Sequence, residues 1–273
     1  MHSFKKIVSI HGAPRSGTTW LGQIIDSSPE IRYKYQPLFS ESFKDAINVG
    51  STKKEMLETL ENIYLKEDEF LDREKQKKTG IHKRFPQKKE QPPYLAIKHV
   101  RYHYLIPHFL NTLENIKVIG IVRHPCGVLN SWRKAPREFL PEHNFYDNWR
   151  FAQDRSHFRP EEYYGFHRWI ELTKMFLEMQ KNFPEKFKLL RYENLVKFPA
   201  EETQKIFYFC SLPYPQQTEE FLNESTSLFD EDTYSVYKGG KKLDDWKEEL
   251  NYEIIKTVYR ELEDTEFKDF LKY

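Results

Sequence analysis

Apolar positions fall along this chain in short continuous runs separated by longer stretches of helical spacing. Ile7 to Ile10 is the first run, closed by Gly12 and Pro14. "YLAIKHV" (94 to 100), "IKVIGIVRH" (116 to 124) and "FKLLRYENL" (187 to 195) are the others. Such runs, bounded by turn residues, predict strands buried on both faces. After the first run, Thr18, Thr19, Trp20, Leu21, Ile24 and Ile25 recur at helical spacing up to Ser27-Ser28-Pro29, which predicts strand, loop, helix. Farther on, Trp169, Leu172, Phe176 and Met179 share one helical face before Pro184, and Ile254, Ile255, Val258 and Leu262 share another. Both stretches predict amphipathic helices packed on a core. Alternation of strand and helix implies a doubly wound α/β fold with a parallel sheet.

Where the predicted strands end matters for function. Three endings carry His99, Arg123 and Tyr192, and in an open parallel sheet the carboxyl ends of the strands line the ligand crevice. Two stretches break the rhythm. Residues 40–93 are highly charged, and residues 133–160 are rich in Pro, His, Arg and aromatics. Both are expected to be insertions of one domain spanning 1–273, folded over the crevice to shape an acceptor cleft.

Composition narrows the partners. Lys plus Arg (43) nearly cancels Asp plus Glu (42), so no global field favours nucleic acid or an anionic membrane, and any anion site must be local. Cys126 and Cys210 form no metal-ligand pattern and read as buried thiols of a reducing compartment. No apolar run approaches membrane-spanning length, and the start "MHSFKKIVSIHG" leaves no room for a signal peptide. A cytoplasmic protein is expected, its oligomeric state open.

The stretch "GAPRSGTTWLGQI" (12 to 24) has the outline of a P-loop. A glycine-bearing turn feeding a helix aims backbone N–H groups and the positive end of the helix dipole at one point, where a tetrahedral anion binds. Ser16, Thr18 and Thr19 add hydroxyl donors, and Arg15 supplies the charge. Nucleotide hydrolases place Lys directly before the Ser/Thr that holds Mg²⁺; that position here is Thr18. The run "VIGIV" ends in Arg123-His124 rather than in a carboxylate. The fold expected is therefore P-loop-like, with the anion handled by protein cations and dipoles and no metal site. A sulfuryl group, less charged than a phosphoryl group, suits such a loop.

"PRSGTTW" resembles the 5′-phosphosulfate loop of sulfotransferases that use 3′-phosphoadenosine 5′-phosphosulfate (PAPS), with Arg15 at the lysine position. "VIGIVRHPCGVLNSW" (118 to 132) is similar to that family's 3′-phosphate segment, which implies Arg123 and Ser131 as contacts. "KLLRYENL" (188 to 195) resembles the later strand whose tyrosine lies by the adenine, which implies Tyr192. "VYKGGKKLDDWKEEL" (236 to 250) resembles the C-terminal basic loop, which implies Lys238 and Gly239 at the 3′-phosphate. The resemblance further implies Ser16, Gly17, Thr18 and Thr19 at the 5′-phosphate, Trp20 against the adenine, and the desulfated product PAP. The implied acceptor is a hydroxyl of a carbohydrate, glycolipid or small metabolite.

In-line transfer also needs a base. Carbohydrate-type members carry a Glu-Pro pair after the first helix, whereas this chain has Gln36-Pro37, and an amide accepts no proton near neutral pH. Cytosolic members carry a histidine at the end of the second strand; here "IKHVR" offers Lys98 and His99, with Arg101 completing a Lys-x-x-Arg pattern. Strand alternation puts Lys98 and His99 on opposite faces, although a turn at the strand end lets either enter. His99 comes first as base because imidazole titrates near working pH, with His11 and His103 after it; Arg15, His99 and Lys98 make up the expected catalytic set. Two other readings stay open: a PAPS- or PAP-binding relative without a base, and a P-loop kinase or NTPase.

Overall fold

A computed structural model describes residues 2–156, 159–237, 239–240 and 242–272. Five strands form one parallel sheet: β1 (Lys6–His11), β2 (Ile31–Tyr35), β3 (Tyr94–His99), β4 (Ile116–Val122) and β5 (Phe187–Arg191). Their order is β2-β3-β1-β4-β5. The chain leaves central β1, crosses to the β2 edge, returns to β3 beside β1, and then builds β4 and β5 on the other flank. The carboxyl end of β1 is thus the point where the winding reverses, the place where open α/β sheets bind ligands.

Alternation along the strands splits the core into two layers. Ile7, Leu95, Ile97, Val118 and Val122 join Phe109, Trp132, Trp169 and Phe176 on one face. Val8, Ile10, Ala96, Ile119 and Ile121 join Leu21, Ile24, Phe207 and Phe221 on the other. Helices therefore cover both faces, as a doubly wound sheet requires. The helix after β1, α1 (Thr18–Asp26), buries every residue except Thr19.

Two sequence expectations need correction. β2 was not among the predicted strands: its "IRYKY" alternates with cations rather than forming an apolar run. Lys34 is nonetheless 2% exposed, because its ammonium pairs with Asp72 at 2.7 Å. β5 is shorter than the predicted 187–195: it stops at Arg191, and Tyr192 opens a helix, Tyr192–Lys197. Leu195 then packs into the core as a helical rather than a strand residue.

Residues 40–93 hold the helices Lys53–Leu65 and Glu74–Lys78, while the described residues of 133–160 hold the short turns of helix Phe145–Asn148 and Gln153–Ser156. Cys126 and Cys210 are both buried free thiols. Among the described residues, no helix is long and apolar enough to cross a membrane, and no cluster of three His, Cys, Asp or Glu is arranged to hold a metal ion.

Candidate active site

The loop after β1 turns through two left-handed residues, Arg15 at φ 71° and Gly17 at φ 90°. For arginine this conformation costs about 1 kcal/mol or more, strain of the kind that clusters at ligand-binding loops. Glycine at 17 is a steric need as well, since a Cβ there would sit 2.5 Å from Cδ2 of Tyr192. The ring of Tyr192 therefore lies directly on the loop. Gly17 precedes the first turn of α1 and supplies no side-chain cap, leaving the first amides of the helix free for an anion. The Ser16 hydroxyl is buried with no hydrogen-bond partner, and Thr18 is buried beside it. An orphaned hydroxyl in a cradle of backbone amides fits a phosphosulfate or phosphate oxygen.

Arg15 reaches across the crevice. Its Nε donates to Ser131 Oγ at 3.2 Å, Nη1 to Glu138 Oε1 at 3.2 Å and Nη2 to the Thr233 carbonyl at 2.7 Å, while Tyr234 lies under its guanidinium at 5.2 Å. Arg123, just past β4, donates from Nη1 to the Arg15 carbonyl at 3.1 Å and stacks 4.8 Å over the Tyr192 ring. Trp20 meets Tyr192 edge-on at 6.4 Å, and its indole N–H donates to Ser225 Oγ at 3.0 Å. Ser225 belongs to the helix Gln216–Ser227. Gly239 abuts the end of that helix so closely that a Cβ would lie 2.5 Å from the Ser227 carbonyl. Hydrogen bonds and ring contacts thus link Ser131, Arg15, Arg123, Tyr192 and Trp20 in one continuous cluster, with Gly239 at its margin. Lys238 lies outside the described residues.

The expected base has a different setting. In register, His99 pairs with His11 and Lys98 with Tyr35, so the two side chains leave opposite faces of β3 as alternation demands. His99 is 2% exposed, stacks 5.0 Å from His11, and leaves Nε2 without a partner. His11 in turn accepts or donates at 3.0 Å to His103 and at 2.7 Å to Ser9. Burial first, then the Lys98 charge, hold the His99 imidazole down at about 3. Burial likewise holds His11 and His103 well below the usual imidazole range. The His11 and His99 rings stack, His103 meets His11 edge-on, and the three form a neutral cluster beneath the loop.

This cluster has a pH signature. An unfolded His99 titrates near 6.5 and the folded one near 3, so the unfolded chain binds the extra proton throughout that window. Stability present above pH 6.5 is lost as pH falls, by about 1.4 kcal/mol per unit from His99 alone. Chemical unfolding of wild type and His99→Gln at pH 7 and pH 5 checks this: the variant should lose less stability on acidification. Equal losses would place the His99 ring in solvent.

Lys98 faces the other way, its ammonium 4.5 Å over the Tyr35 ring and lowered from the ordinary lysine range by burial. Arg73, from the 40–93 stretch, covers the same ring at 4.0 Å. Burial pushes the Tyr35 hydroxyl up, but Lys98, Arg73 and a hydrogen bond to Gln36 more than reverse it. Gln36 sits at φ 44°, its Oε1 accepting from Arg101 at 3.3 Å, and Arg101 pairs with buried Glu162 at 2.8 Å. Sequence reading did not single out Glu138, Tyr35, Arg73 or Glu162, whose partners lie far away along the chain. The available signal for Glu138 was an acid just past the Ser131-Trp132 pair.

A strained anion loop at the switch point of a parallel sheet, with arginine where a nucleotide hydrolase has lysine and a second arginine at the next strand end, defines a protein built to hold a nucleotide-borne sulfate or phosphate. Residues 8–216 match the model of the sulfotransferase family. The chain belongs to that family and is an enzyme of its PAPS-dependent class. A Caenorhabditis briggsae protein provisionally named protein-tyrosine sulfotransferase is 24% identical over 228 residues, 80% of this chain and 69% of that one. Human carbohydrate sulfotransferase 3 is 23% identical over 177 residues, but they make up 60% of this chain and 36% of the human one. Among solved structures, retinol dehydratase in complex with retinol and PAP aligns at TM-score 0.56 and 16% identity, covering 98% of this chain and 83% of that one. A mouse sulfotransferase complexed with PAP aligns at 0.54 and 15%, covering 97% and 87%. At these identities the structural likeness is one of fold.

Proposed function

We propose that the protein moves a sulfuryl group from PAPS to a hydroxyl of a carbohydrate, glycolipid or small metabolite. The observation that carries the donor half is the convergence of Arg15, Arg123 and Ser131 on a loop whose buried Ser16 hydroxyl has no protein partner. When bound, PAPS supplies the activated sulfate. The amides at 17–19 and the Ser16 and Thr18 hydroxyls hold its 5′-phosphate, and Arg15 balances charge on the leaving oxygen. Arg123 and Ser131, with Gly239 and Lys238, grip the 3′-phosphate, and Trp20 and Tyr192 border the adenine. Arg73, which covers the Tyr35 ring at the end of β2, suits a polar or anionic acceptor, and the insertions 40–93 and 133–160 form its walls. A reducing, cytoplasmic setting accords with the two free thiols.

Calorimetry tests the donor half. With EDTA present, PAP should bind tightly, and ATP with Mg²⁺, run in parallel without chelator, should bind far more weakly. Preference for Mg-ATP would replace this reading with that of a kinase or NTPase.

A further inference from the structure

The acceptor's proton needs a destination. Gln36 presents an amide, His99 is sealed in the ring stack, and Glu162, 2% exposed, is committed to Arg101. Glu138 differs from all three. Its side chain keeps 19% of its surface open, and it stands beside the loop arginine, with Oε1 3.2 Å from Arg15 Nη1. Its other oxygen accepts from the Tyr164 hydroxyl at 3.1 Å. Its backbone is pinned as well: the carbonyl accepts from the Trp132 indole at 3.1 Å, and the amide donates to Ala135 at 2.8 Å. The carboxylate is near enough to Lys98 and Tyr35 for its charge to raise the proton affinity of both. It therefore stands beside the donor loop, within electrostatic reach of Tyr35 at the end of β2 and Lys98 near the end of β3.

We propose that Glu138 is the catalytic base of sulfuryl transfer, an inference that rests on the sulfotransferase reading above. The acceptor oxygen forms its bond to sulfur as the bond from sulfur to the 5′-phosphate oxygen breaks. The electron pair of the broken bond leaves on that phosphate, giving PAP, and the acceptor's O–H proton passes to Glu138 Oε1. Arg15 touches this same oxygen, so one side chain spans the proton-accepting and leaving-group ends of the reaction. Tyr164 and the Trp132 anchor fix the carboxylate's aim, which a base needs more than strength. The geometry assigns to the 133–160 insertion the carboxylate that Gln36 does not supply.

Glu138→Gln keeps the shape and removes the basicity. PAP release from PAPS is measured with p-nitrophenol, which is ionised near neutral pH and needs no base, with p-cresol, and with water alone. Expected for the variant is a loss of about a hundredfold with p-cresol and water but less than about fivefold with p-nitrophenol. Calorimetric PAP affinity should stay within about threefold of wild type, since the donor contacts remain. Glu138→Asp, a shortened base, should regain part of the p-cresol rate. Equal losses on both phenols, or an unchanged p-cresol rate, would overturn the assignment. A wild-type protein that binds no PAP is a separate result, which overturns the donor reading itself.

Discussion

Arg15→Ala should lower PAPS turnover by about a thousandfold, the scale of losing a preorganised charged donor at the developing negative charge. The guanidinium is held by Ser131, Glu138 and the Thr233 carbonyl, so it waits in place rather than being recruited from solvent. Alanine removes that charge but also sits at φ 71°, where any L-residue is strained. A second variant, Arg15→Gly, separates the two effects: glycine relieves the backbone and still lacks the charge. Both variants should be equally inactive, while the glycine variant melts no lower than the alanine one. Near-normal turnover in either would sink the role given to Arg15.

The fold should barely notice. The Arg15–Glu138 pair is only partly buried, and pairs of this kind contribute about 1 kcal/mol or less. A large drop in melting temperature with a small drop in turnover would invert this account, making Arg15 a strut rather than a catalytic cation.

What could be read from sequence was what the chain writes locally. The β1-loop-α1 unit is contiguous, so its glycine, its hydroxyls and its arginine stand in order in "GAPRSGTTW". β3 and β4 are buried on both faces and read as apolar runs. β2 is an edge strand, and its cations are satisfied by groups with no local trace: Lys34 by Asp72, and Arg32 by the Tyr64 ring at 4.4 Å. Periodicity has no purchase on such a strand. The groups around Arg15 and Lys98 were hidden for the same reason. Glu138 acquires meaning only through Arg15, 123 positions away, and Tyr35 only through Lys98 and Arg73. His99 shows the converse: a strand-end histidine is chemically apt on paper, yet in-register pairing with His11 turns it into the ring stack.

Arg123→Ala should separate two nucleotides that differ by one phosphate. Arg123 is 8% exposed, and its guanidinium rests on the Tyr192 ring and bonds the Arg15 carbonyl; the close approach of Gly127, where a Cβ would lie 3.0 Å from Nε, also confines it. A planar fork so constrained has lost little further entropy to give when it meets phosphate oxygens. Removing it should weaken PAP binding by about a hundredfold, the range for hydrogen bonds to charged groups, and AMP binding by about threefold or less. The small AMP loss reflects the slack left in the loop once its carbonyl loses a donor. Calorimetry with both ligands on wild type and variant reads the difference directly. Parallel losses would mean that Arg123 braces the loop for any nucleotide, and the reading of the 3′-phosphate would then pass to Ser131 and the basic segment around Gly239.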